Sequence, residues 1–247
     1  MHLILTGATG LIGSAVLHHM ITTPAVSKVS ILSRRPVPQA DGHPKVHVYI
    51  HKDYTSYPPE TLAQLKGAEG VVWAQGISMT QVSKDEYEKI TYDYPLAFAK
   101  ACATLNPTSE PFKFVYVSGE GATTSPGRLT QRFGVVKGRA EAALIALGKE
   151  YPNLKVYSAR PCVIDYSQHP EIHEYVPKRS GLIRVAETVM LPVAKYVLPS
   201  KHSPTKELAR VLTELAMGDG KDLTGAGISD EGRIASNLAL RRIVSPA

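Results

Sequence analysis

The sequence predicts an α/β domain with a doubly wound parallel sheet, and three observations carry that prediction. Its strand-like segments, among them HLILTG (2–7), KVSILS (28–33) and GVVWA (70–74), are continuous apolar runs, as expected of strands buried on both faces. Stretches of helical periodicity separate one run from the next. Strand–helix–strand crossovers are right-handed, so this alternation winds helices onto both sides of one sheet.

The elements follow in order. HLILTG is the first strand, and LIGSAVLHHMI (11–21) is a helix stopped by Thr22, Thr23 and Pro24. KVSILS leads into a Pro/Gly-rich loop at 36–44, and KVHVYI (45–50) is the third strand. PETLAQLKG (59–67) is a short helix ended by Gly67, followed by GVVWA. A long helical region from Ser83 to Leu105 is expected to bend near Pro95, whose ring and missing N–H disrupt a regular helix. KFVYVSG (113–119) is the fifth strand, 130–151 a helix and LKVYSARP (154–161) the sixth strand. Further helices are expected at 181–191 and 205–217, and the last thirty residues are weakly patterned. The whole chain, 1–247, reads as a single domain: residues 1–165 form the sheet core and 166–247 a small substrate-side extension that does not fold independently.

Lys and Arg exceed Asp and Glu, 28 to 22, but no run of five basic residues or nucleic-acid motif accompanies the excess, so no nucleic-acid partner is expected. The most membrane-like stretch, GLIRVAETVMLPVAKYVLP (181–199), contains Arg184, Glu187, Lys195 and Pro192, which argue against a spanning helix. Its LPVAKYVLP part suits a cap over an apolar pocket, a dimer surface or a solvated helix with one buried face. Cys102 and Cys162 lack a CxxC pattern and read as free thiols of a reducing compartment. With no signal-peptide pattern at MHLILTG, the expected location is cytoplasmic, as a monomer or homodimer.

LILTGATGLIG places Gly7, Gly10 and Gly13 between a strand and a helix. In that context the glycines form a tight turn, let the backbone approach a pyrophosphate and allow close helix–strand packing. Thr9, Gly10, Leu11 and Ile12 open the helix, whose unpaired N–H groups and positive dipole end favour phosphate. About twenty residues on, where an acidic residue would hold the adenosine ribose of NAD, the second strand ends in Ser33, Arg34 and Arg35. A serine and two guanidiniums suit a 2′-phosphate, so NADP is expected in preference to NAD.

TGATGLIG, SRR, WAQG (73–76), YVSGEG (116–121), KGRAE (137–141) and SARP (158–161) occur in order, and together they resemble the extended and atypical short-chain dehydrogenase/reductase superfamily, in its small NAD(P)-binding, epimerase-like branch. The likeness covers about the first 165 residues. It implies an NAD(P)-binding Rossmann sheet of about seven strands with the cofactor across their carboxyl ends. Ala74 and Gly76 would pass under the adenosine side, Asp53 would lie near the adenine and Pro161 would line the nicotinamide.

The superfamily's machinery is a serine, a tyrosine and a lysine. Ser118 matches the serine that hydrogen-bonds a substrate carbonyl, and Lys137 the lysine that holds the nicotinamide ribose. The tyrosine's position, four residues before the lysine, is Phe133, and Thr91 stands where many relatives carry asparagine. A phenyl ring exchanges no proton, so Lys137, Glu120 and Tyr166 are the candidate replacements. The implied activity is an NADP(H)-dependent oxidoreductase acting on a small carbonyl, enone or quinone-like substrate. The alternatives are a non-catalytic NADP-binding sensor or partner-binding protein, or an isomerase or lyase that reuses the pocket. No metal is expected: His169 and His173 have i,i+4 spacing, but Pro170 opposes a regular helix through them.

Overall fold

The computed structural model describes residues 1–105, 110–177 and 190–244. Eight strands form one sheet: β1 (His2–Thr6), β2 (Lys28–Ser33), β3 (Val46–Ile50), β4 (Gly70–Trp73), β5 (Phe112–Val117), β6 (Leu154–Arg160), β9 (Ile228–Ser229) and β10 (Ile234–Ser236), in the order β3-β2-β1-β4-β5-β6-β10-β9. All neighbours are parallel except the antiparallel pair β10–β9 at one edge. A separate two-stranded parallel pair joins β7 (Val163–Asp165) to β8 (His202–Pro204).

Strand alternation sorts the apolar residues onto two faces. Leu3, Leu5, Val72, Val115 and Val117 face the side covered by α1 (Leu11–Thr22) and α6 (Thr205–Met217). Ile4, Val71, Trp73, Phe114 and Tyr116 face the side of α4 (Tyr94–Cys102) and α5 (Arg132–Glu150). Two covered faces explain why β1 is buried at every residue and reads as an unbroken apolar run. α2 (Pro59–Leu65) contributes Leu65 to the second face.

The region predicted to bend near Pro95 is α3 (Lys84–Glu88), a π-helical turn over Lys89–Asp93, and α4. The irregularity precedes the proline. Pro95 has no N–H to offer the carbonyl of Thr91, four residues back, and in the widened turn the Tyr94 amide donates to the Lys89 carbonyl, five residues back.

The weakly patterned carboxyl end is ordered into β9, β10 and α7 (Asn237–Val244), with Ile234 paired to Ser158. Strands of two and three residues are too short to show a period. The helix expected at 181–191 falls almost entirely outside the described residues. In the following stretch Tyr196, Val197 and Leu198 are exposed. Among the described residues no helix is long and apolar enough to cross a membrane.

Candidate active site

The glycine turn lies at the carboxyl end of β1. Gly7 adopts φ +70°, a left-handed conformation that favours glycine, and a Cβ there would sit 2.5 Å from the carbonyl carbon of Ala74. A Cβ on Gly13 would lie 2.5 Å from the carbonyl carbon of Gly7, so α1 can approach the strand this closely only with glycine. Gly10 caps α1 without a side-chain hydrogen bond, and no acidic residue occupies the first turn. The helix therefore presents its amino-terminal N–H groups and positive dipole end uncompensated by side chains.

Beyond β2, Ser33 is buried and its hydroxyl accepts from the Arg35 amide at 3.3 Å. Arg34 and Arg35 are exposed, and Arg35 Nη2 donates to Thr9 Oγ1 at 3.2 Å, which brings one guanidinium over the glycine turn. Asp53 is exposed and accepts from Thr55 N (2.9 Å) and Ser56 Oγ (3.3 Å); with the Thr55 hydroxyl, these bonds hold its pKa below the usual carboxylate value.

From the turn, a cleft of about 700 Å³ runs along the strand ends, lined by Gly10, Leu11, Ile12, Ala74, Gly76, Thr91, Ser118 and Lys137 among the residues the sequence singled out. Gln75, Ser78, Gln81, Tyr116 and Ile164 also line it and were not anticipated. Tyr116 was accessible to reasoning, because it stands two residues before Ser118 and so on the same face of the strand. Pro161 is buried, and its carbonyl accepts from the Glu120 amide at 2.9 Å. It is not among the cleft-lining residues, where Ile164 and Pro177 occur instead.

Two glycines of α5 fix the position of Lys137. A Cβ on Gly138 would lie 2.7 Å from the Thr123 amide nitrogen, and Gly134 packs equally tightly on Gly121, so the 119–123 loop lies directly on the helix. Under that loop Lys137 Nζ donates to Ser118 O at 2.7 Å. Burial lowers its pKa to about 8, opposed by the carboxylate of Glu141 one turn on. Glu141 is fully buried and satisfied by Ser158 Oγ (2.7 Å) and Arg160 Nε (2.9 Å). Ser118 Oγ is buried and has no hydrogen-bond partner among the described residues, a costly state that points to an absent acceptor or donor. The Phe133 ring rests on Gly121, with Cζ 3.4 Å from where a Cβ would stand. It is half-buried, whereas Val136, Ala140, Leu144 and Leu147 form the core-facing stripe.

The candidate replacements for the missing phenol are unequally placed. Glu120 is ion-paired to Lys201 at 2.5 Å, and Tyr166 packs edge-on against His173 (5.6 Å); neither is among the cleft-lining residues. Tyr116 donates its hydroxyl to the Thr91 carbonyl at 3.1 Å, supplying the partner that Pro95 denies it, and burial raises its pKa. Lys137 is the one ionic group among the described lining residues.

No protein-family model matches the chain. It is 37% identical over 260 residues to a leucinostatin biosynthesis cluster protein of Purpureocillium lilacinum, with 98% of this chain and 94% of that protein aligned. A botcinic acid biosynthesis cluster protein of Botryotinia fuckeliana is 37% identical over 136 residues, covering 54% of this chain and 86% of that one. Among solved structures, the PhqB reductase domain of Penicillium fellutanum superposes with a TM-score of 0.63 at 17% identity, covering 87% of this chain and 64% of that one. A short-chain type dehydrogenase/reductase of Mycobacterium ulcerans gives 0.63 at 16%, covering 97% and 90%. The fold is the one these reductases share, and the chain belongs to the family of the leucinostatin biosynthesis cluster protein.

Proposed function

We propose that the chain is an NADP(H)-dependent oxidoreductase that reduces a small enone, quinone-like or carbonyl compound without a catalytic tyrosine. The observation that carries the reading is the unpartnered, buried hydroxyl of Ser118, whose carbonyl accepts from Lys137, in a cleft that begins at the open amino terminus of α1. The residues fit the cofactor: the glycine cradle has no room for side chains, the helix end suits a pyrophosphate, and Arg34 and Arg35 suit a 2′-phosphate. When bound, the cofactor supplies a hydride to the substrate.

The rest falls to the chain. Ser118 Oγ hydrogen-bonds the substrate oxygen and stabilises the negative charge that develops there. Lys137, with a pKa near 8, is largely protonated at neutral pH and serves as the proton store close to that oxygen. An activated alkene or quinone tolerates so weak an acid better than a simple ketone, because conjugation spreads the charge. The neutral Gln75, Ser78 and Gln81 favour an uncharged polar substrate over a carboxylate or phosphate. The site departs from the standard reductase set at Thr91 and at Phe133, and the hydroxyl that Phe133 lacks keeps the NADP-binding sensor as the second reading.

The test is NADPH consumption by the purified chain with a panel of quinones, enones and aldehydes. Turnover that falls about 10²–10³-fold in Ser118→Ala supports the enzyme. Tight NADPH binding with no turnover on any of them supports the sensor.

A further inference from the structure

At the carboxyl end of α1, away from the glycine turn, lies a second cavity, of about 340 Å³, which the proposed reduction does not use. Its lining includes His18 and His19 of α1, His169 and Glu171 of the loop after β7, and Lys206 and Arg210 of α6. Pro170 argued against a metal held by His169 and His173; in the structure His173 Nε2 lies 3.0 Å from the Tyr166 carbonyl oxygen. His169 instead meets His18, ring centroids 5.3 Å apart and nearly perpendicular. One ligand atom each from His18, His169 and Glu171 lie within 4.8 Å of one another.

We propose that His18, His169 and Glu171 form a binding site for a divalent transition-metal ion of the zinc class, with a fourth position open to the cavity. Two imidazoles and one carboxylate are a donor set that zinc accepts in tetrahedral geometry. His169 is the preset ligand. It is 2% exposed, and its Nδ1 lies 3.0 Å from the hydroxyl of buried Thr205, which fixes the ring and leaves Nε2 available. Bonds of about 2.0–2.1 Å need ligand atoms roughly 3.3–3.5 Å apart. Half-buried His18 and exposed Glu171 can make that closing movement by side-chain rotation. Lys206 competes for the site, since its Nζ holds Glu171 Oε1 at 3.1 Å; Arg210 is occupied by Glu214 at 2.8 Å. The ion would tie α1, whose other end forms the phosphate turn, to the segment that follows Ile164 of the cleft wall.

The test is titration of the chelator-treated, untagged full chain with Co²⁺, followed by visible absorption, and displacement of Co²⁺ by Zn²⁺. One Co²⁺ per chain is expected, with affinity lowered at least tenfold in His18→Gln, at a half-buried position, and in Glu171→Gln, at an exposed one. Thr205→Val should weaken binding about tenfold through the orienting hydroxyl. Lys206→Met should tighten it, an effect that scattered surface histidines would not produce. NADPH affinity serves as the folding control in every variant. No Co²⁺ bound by the wild type, or binding unchanged in His18→Gln and Glu171→Gln, overturns the proposal.

Discussion

Arg35→Ala should separate NADPH from NADH. The Arg35 guanidinium is held over the glycine turn by its 3.2 Å bond to Thr9 Oγ1, beside the buried Ser33 hydroxyl and with no carboxylate at the end of β2. A charge-assisted hydrogen bond to a phosphate contributes about 1.5–3 kcal/mol, and an exposed guanidinium belongs at the lower end. At about 1.4 kcal/mol per decade, the variant should bind NADPH roughly tenfold to thirtyfold more weakly. NADH has no 2′-phosphate and should change by less than about twofold, while Arg34→Ala/Arg35→Ala should remove most of the discrimination. Raising the salt concentration should weaken NADPH more than NADH, because the extra attraction is between exposed charges. Calorimetric titration measures both cofactors, and the single tryptophan, Trp73, whose neighbour Ala74 lines the cleft, offers a fluorescence readout. Equal affinity of the wild type for the two cofactors, or equal losses for both in Arg35→Ala, would refute the assignment of the arginine pair.

Lys137 as proton store requires that kcat/KM for NADPH-dependent reduction be flat below about pH 8 and fall above it, and a profile flat to pH 10 would exclude that role. The same group affects stability with a definite sign. Folding lowers its pKa from 10.5 to about 8, so between those values the unfolded chain holds more protons and stability rises with pH, a rise that urea titration should find in the wild type and not in Lys137→Met. Phe133→Tyr should raise aldehyde or ketone reduction by at least about tenfold, since a positioned acid contributes about 10²–10⁴; an unchanged rate in a variant that binds NADPH normally would show that the cleft does not bring a carbonyl to this ring. Glu141→Ala leaves Arg160 and Ser158 without their buried acceptor and should cost about 3–5 kcal/mol in denaturant unfolding, with a loss under 1 kcal/mol counting against the pairing.

The glycine turn at the end of the cleft was legible because it is local. Gly7, Gly10 and Gly13 fall within seven residues, and the reasons each must be glycine lie in contacts with β1, its own turn and Ala74. The alternation that sends Leu3 and Leu5 to one face and Ile4 to the other is written in five consecutive residues. β9 and β10 were not legible for the converse reason. Ile234–Ser236 is three residues long, and it becomes a strand only through pairing with Ser158–Arg160, more than seventy residues earlier.

The Ser118 and Lys137 end of the cleft shows the same division more sharply. Phe133 could be read from its spacing to Lys137, but the fates of the possible substitutes depend on partners distant in the chain. Glu120 is removed from consideration by Lys201, 81 residues on. Tyr116 is committed by Pro95: the proline denies Thr91 its donor four residues on, and Tyr116, the one phenol among the described cleft-lining residues, donates to that carbonyl. Restoring a donor with Pro95→Ala would therefore let a regular helix satisfy Thr91 and free the Tyr116 hydroxyl. If the weak acid at Lys137 limits the rate, that variant should reduce substrate no more slowly than the wild type, and its phenol should titrate at a lower pH once turned toward solvent in the cleft. A Pro95→Ala variant that keeps the π-helical turn and an unchanged Tyr116 would show that the bend is imposed by packing around Thr91 and not by the missing N–H.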